Sequence, residues 1–175
     1  MTTTWKIDPA HSEIQFKARH LMITTVTGHF SSYSLLVETE DNDFTKATKI
    51  EFSADPNSII TGEKGRDDFL KSTDFFDTAE HSLIIFKGTK LEKSGEDYRL
   101  SGALTIKGIT KPITLDVEYG GIAVDSYKQT KAGFSITGKL SRKEFGLTWN
   151  AVTEAGNLLV GDEVKLSCEV QLIKG

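Results

Sequence analysis

Four histidines, one cysteine and a scatter of carboxylates are the residues of this 175-residue chain that could make or break bonds. They do not assemble into a motif. His11, His20, His29 and His81 show neither H-x-x-x-H nor H-x-H spacing, and the lone Cys168 adds one ligand at most, so metal binding has little support. No G-x-S-x-G occurs and Cys168 has no basic sequence neighbour, which leaves nucleophilic catalysis without a nucleophile. Asp8, Asp67, Asp77 and Glu144 could pair as acid and base only if the fold gathered them, and loop acids usually face water. The sequence therefore reads as a non-enzyme, with no cofactor expected.

Recognition of a ligand is better supported. His20 ends an apolar strand face, where it is either a polar handle for a ligand head group or a core histidine satisfied by a neighbouring carbonyl. Arg66 could guide an anionic head group. It could equally pair with Asp67, Asp68 or Asp74. Cys168 alternates with Val164, Leu166 and Val170, which places a structural thiol on a buried face.

The elements that must position these residues are strands. Ile14, Phe16, Ala18, His20 and Met22 take every second place in one run, the period of a strand with one wet face. The same rhythm returns at 50–54, 98–106, 113–119, 132–140 and 164–172. Asp41-Asn42-Asp43, the segments 93–97 and 107–112, and Gly120-Gly121 read as the turns between antiparallel neighbours. Residues 82–89 are apolar on both faces, which predicts a strand covered outside by a helix or a partner chain. Gly62–Thr78 breaks the pattern and predicts a short helix and loop over one end of the sheet. Closing such strands into a barrel removes exposed edges. A two-sheet sandwich is the alternative.

Composition agrees with one all-β domain over 1–175. Hydrophobic residues make up 38% and charged residues 26%, a globular balance. No apolar run approaches the ~20 residues of a membrane span, so no membrane insertion is expected. Twenty-one basic against twenty-five acidic residues give a net charge of −4, without the basic excess that draws a protein to nucleic acid or anionic lipid. The N-terminus lacks an export signal, so the expected location is the cytoplasm, or the periplasm if a signal has been removed.

Several motifs are similar to those of the YceI-like family of lipocalin-like, polyisoprenoid-binding barrels. They are Trp5-Lys6-Ile7-Asp8-Pro9-Ala10-His11-Ser12, Gly28-His29-Phe30, Arg66-Asp67 with Leu70-Lys71-Ser72, and Asp74-Phe75-Phe76-Asp77. Next come the block from Gly102 to Pro112, Phe145-Gly146-Leu147 and Val160-Gly161-Asp162-Glu163-Val164. The resemblance implies an extended eight-stranded antiparallel barrel with a helix near one end, a pocket for an isoprenoid or fatty-acyl chain, frequent homodimers and no established catalysis. The chain departs from the family at Phe69, where a His is common, and at His81-Ser82, where a Tyr-Pro pair is common.

Ten Phe are many for so small a chain. Phe16, Phe30, Phe52, Phe69, Phe76, Phe86 and Phe134 could fill a dry core or line a tunnel, and Trp149 poses the same question. The resemblance favours the tunnel. On that reading Met22, Ile50 and Leu104 join its wall, with His20 and Arg66 near its polar end. The expected partner is one long-chain isoprenoid, isoprenoid quinone or fatty-acyl lipid, sequestered or transported. The alternative is a packed barrel that acts through its surface.

Overall fold

Alternating apolar and polar residues drive most of the chain into extended backbone. The computed structural model describes residues 1–151 and 159–175. Its strands are β1 (Thr2–Ile7), β2 (Glu13–His20), β3 (Thr24–Phe30), β4 (Tyr33–Glu40), β5 (Asp43–Ala54) and β6 (Ile59–Ile60). After the helix α1 (Lys64–Lys71) come β7 (Ile84–Ser94), β8 (Asp97–Ile106), β9 (Ile109–Val124), β10 (Thr130–Ser141) and β11 (Val160–Lys174).

These eleven segments make eight long strands. β1 and β2 are one strand interrupted at Asp8–Ser12, β3 and β4 one interrupted at Ser31-Ser32, and β5 and β6 one interrupted at Asp55–Ser58. Every pairing is antiparallel between neighbours, and the barrel closes where β11 meets β1 and β2: Leu172 lies opposite Ile7, and Leu166 opposite Phe16. Closure leaves few free edges. The sandwich alternative is excluded.

The interruptions are held by specific bonds. Asp8 accepts hydrogen bonds from Ala10 N (3.2 Å), His11 Nδ1 (2.8 Å) and Lys131 Nζ (2.9 Å), and its own amide donates to the Gln171 carbonyl. Ser12 Oγ accepts from Gln171 N at 3.0 Å. The D-P-A-H-S motif thus laces the broken first strand to β11. The second break is tied by Ser31 and Ser32 amides donating to Ser58.

Inside, large side chains lie over glycines. Phe86 fills the space above Gly102, where a Cβ would stand 2.5 Å from its ring. Lys107 and Gly108 both take positive φ in the turn from β8 to β9, which accounts for the turn residues of the Gly102–Pro112 block.

Three sequence expectations are corrected. Gly120-Gly121 is no turn: β9 runs through it to Val124, with a register shift opposite at Gly133/Phe134, and the chain reverses at Asp125–Gln129. A bulge absorbs the Gly121 φ of +101° and bends the strand instead. Met22 is not in a strand, because the chain reverses at Leu21-Met22. Of the two covers expected for the doubly apolar stretch, α1 is not one: Ile85 is half-buried between Ser53 and Thr105 on neighbouring strands, and Leu83 is 47% exposed.

Candidate functional site

Aromatic residues gather at the two ends of the barrel. At one end Trp5 meets Phe44 (ring centroids 4.9 Å apart), Phe44 meets Phe134 (4.9 Å), and Tyr119 stacks on Phe134 (5.0 Å). Trp5 is wholly buried, and its indole N–H donates to Thr39 Oγ1 at 3.2 Å. A cleft of about 300 Å³ opens onto this cluster, where the start of β5 separates from β7, with Phe44, Tyr119 and Phe134 in its lining beside Leu91 and Tyr98. Behind it the wholly buried Trp5 plugs the barrel.

The other end, beneath α1, is different. Six rings form one continuous run: Phe16–Phe30 (5.5 Å), Phe30–Phe76 (6.3 Å), Phe76–Phe75 (5.6 Å), Phe75–Phe69 (6.3 Å) and Phe69–Trp149 (4.8 Å). Only Phe75 is fully buried; the other five retain surface that water can reach. The same holds deeper along the inward faces, where Leu35, Phe52, Ile136, Leu166 and Cys168 are half-buried although they share strands with buried core residues. A filled interior would cover them.

Cys168 sharpens this contrast. Burial pushes its thiol up to about 11, so protein encloses it, yet its surface is not fully covered. The sequence placed this thiol on the inward face and read it as structural.

α1 and residues 142–150 flank this end, where Phe69 of α1 packs on Trp149. Glu63 caps α1 by accepting from the amides of Gly65 and Arg66. Asp67 accepts from Thr61 N, and Arg66 donates through Nε to Thr61 Oγ1 (2.7 Å) and through Nη2 to the Thr61 carbonyl (2.7 Å). Arg142, 1% exposed, donates to the carbonyls of Gly161, Leu147, Trp149 and Val160, with its guanidinium 5.8 Å from the centre of the Phe75 ring. Burial pulls its pKa down. Four carbonyls around one guanidinium fix the backbone that carries Trp149.

The structure brings Phe16, Phe30, Phe69, Phe76 and Trp149 together at the open end. Phe52, Phe86 and Leu104 follow as one cross-strand row with Leu35, and Ile50 lies beside it over Gly88. Phe134 belongs to the plugged end. His20 and Met22 are exposed on the hairpin between β2 and β3, and Arg66 spends its hydrogen bonds on Thr61. Sequence reasoning missed Phe75 and Arg142. For Arg142 no signal was available, because a buried cation satisfied by carbonyls from four different residues has no local pattern.

A second cleft, of about 380 Å³, lies in the wall where the end of β10 parts from the start of β9. Ile113, Leu140 and Phe145 line it together with Lys139, Glu144 and Asp162. Among the described residues no group of three potential metal ligands forms a site.

A closed antiparallel barrel of eight strands with one short helix defines a lipocalin-like architecture. The YceI-like domain profile matches residues 5–172, and the chain belongs to that family. It is 35% identical over 170 residues to a UPF0312 protein of Staphylococcus aureus strain USA300, covering 97% of this chain and 96% of that one. Its fold is similar to that of Burkholderia cenocepacia BcnA, with TM-score 0.81, 20% identity, and 94% and 98% of the two chains covered. The YCEI protein of Campylobacter jejuni superposes with TM-score 0.74 at 31% identity, over 89% of this chain and 88% of that one. A polyisoprenoid binding domain from Saccharophagus degradans shares the fold with TM-score 0.68 at 16% identity, over 98% of both chains.

Proposed function

We propose that this protein holds one long apolar molecule, an isoprenoid or fatty-acyl chain, inside the barrel, entering beneath α1. The observation that carries the reading is the run of six rings at one end, five of them half-buried, continuous with half-buried inward faces, against an opposite end where Trp5 is wholly buried. Membership of the YceI-like family and the fold shared with a polyisoprenoid binding domain support it. The barrel acts by binding and carrying, without chemistry on the ligand.

Transfer of the tail out of water supplies the affinity. At ~0.8 kcal/mol per methylene, a five-carbon unit offers on the order of 4 kcal/mol gross, so a few units outweigh association costs of about 4 to 15 kcal/mol. Tail length therefore governs affinity more than the head group does. A homodimer would cover Leu83 and Ile85, and the mass of the protein in solution reads it.

Organic extraction of the purified protein, followed by mass spectrometry and uptake assays with prenyl and acyl chains, tests the proposal. Stoichiometric uptake that strengthens with chain length supports it. An empty extract together with no uptake at any length refutes it, and conversion of the ligand refutes the non-catalytic part.

A further inference from the structure

The hairpin joining β2 to β3 carries a feature that the interior does not explain. Its two central residues, Leu21 and Met22, have φ of +53° and +60°, and Ile23 N donates to the His20 carbonyl at 3.1 Å. This positive-φ reversal is ordinarily made by Asn or Gly. Here it is made by two bulky apolar residues. Met22 is 48% exposed and the following Ile23 is 72% exposed. Arg19 braces the turn by donating from Nη2 to the Met22 carbonyl at 3.0 Å. A strained turn that holds apolar side chains out in water points to something other than water as its partner.

The neighbouring wall indicates what that partner is. Lys139 on β10 lies opposite Lys165 on β11, which lies opposite Lys17 on β2. All three are exposed and face outward. Strands about 5 Å apart put three ammonium groups in one transverse row, a placement that like-charge repulsion disfavours. Among the described residues none of the three has an acidic partner within ion-pair distance. Two residues along the strands from these lysines stand Arg19, Gln15, Ser141, Ser167, Thr137 and the acid Glu163, and the cleft that Lys139 lines also holds Glu144 and Asp162. A chain of net charge −4 thus concentrates cations next to its apolar tip. The overall charge concealed this row.

We infer that this face docks on a lipid surface bearing anionic head groups, with Lys17, Lys139 and Lys165 over the head groups and Met22 and Ile23 dipping into the interface. A basic patch beside an apolar finger fits such a surface, with the cations over anionic head groups and the apolar side chains in the interface. The tip lies in the interface and spans nothing. The inference goes beyond the lipid-holding reading and stands whether or not the barrel interior takes a ligand.

Sedimentation with vesicles of phosphatidylcholine, with and without phosphatidylglycerol, tests it. The protein should partition to the phosphatidylglycerol vesicles and be released by salt. Lys17→Gln, Lys139→Gln and Lys165→Gln should each weaken partitioning about fivefold, and Ile23→Asp on the order of tenfold. Val124→Asp is the control, since Val124 is 65% exposed at the opposite end. Circular dichroism verifies folding, and prenyl uptake from solution should be unchanged in all of these variants. Absence of binding to phosphatidylglycerol vesicles overturns the inference, as does equal loss with Val124→Asp. Binding that ignores Ile23→Asp removes the inserted tip.

Discussion

The far edge of the Phe16 ring occupies the space above Gly28, its partner across β2 and β3, so closely that a Cβ on Gly28 would stand 2.3 Å from the ring. Phe16 begins the run of six rings, and this glycine lets it lie against its own hairpin. Gly28→Ala should force the ring toward Phe30 and the opening. The expected cost is about 1 to 3 kcal/mol of stability, read by thermal or urea unfolding, together with weaker uptake of a prenyl chain. An unchanged melting curve would show that Phe16 rests elsewhere.

Cys168 reports on the interior directly. With its thiol pushed up to about 11 by burial, modification by a maleimide should be slow near neutral pH and quicken as pH rises toward that value, because the thiolate reacts. A bound apolar chain should slow it further. Fast modification of folded protein near neutral pH would place the thiol outside the barrel.

Asp8 makes the broken first strand depend on pH. Its carboxyl is held below the ordinary 3.8, chiefly by the hydrogen bond from Lys131, while Lys131 is held above the ordinary 10.5 by the same contact. The Asp8 contribution is present above the unfolded carboxylate value and is lost as pH falls through the lower folded value. The Lys131 contribution is complete below 10.5 and is lost as pH rises through its higher folded value. Asp8→Asn should cost roughly 1 kcal/mol as a weakened cap, with a difference from wild type that is flat between these limits and shrinks in acid. Urea midpoints across pH check it, and a difference that grows in acid would contradict the assignment.

Arg66 separates two roles. Arg66→Ala removes both bonds to Thr61 and should loosen α1, changing the release rate of prenyl chains equally for phosphorylated and unphosphorylated forms. A loss confined to the phosphorylated form would make Arg66 a head-group ligand.

How much of this was legible follows from where the signals lie. The strands from 98 to 140 and the last strand alternate cleanly, because each has one wet face, and α1 falls inside the excursion read at 62–78. β1, β3 and β4 were not read as strands, since they are pieces of long strands broken at Asp8, Ser31 and Ser32, where tertiary bonds to Gln171 and Ser58 hold the breaks. The Phe residues signalled an aromatic interior, but only the closed barrel divides them into a plugged end and an open end. His20 kept its strand phase yet fell beyond the wall, at the tip of a hairpin whose turn residues carry no turn signature.

That turn yields one more expectation. Replacing Leu21-Met22 by Asn-Gly should relieve the positive-φ strain and stabilise the protein by about 1 kcal/mol, measured by urea unfolding. A destabilised variant would mean that packing of Leu21 near Leu159 outweighs the backbone strain.

Central to the account is a long apolar guest under α1, and Trp149, at the end of the six-ring run, is the reporter placed to see it. Titration of the Trp5→Phe protein with prenyl alcohols of increasing length, followed by Trp149 fluorescence, measures entry at that end. Saturable change at one ligand per chain, tightening with length and abolished by Phe76→Asp in a folded variant, is the predicted result. No change at any length would contradict it.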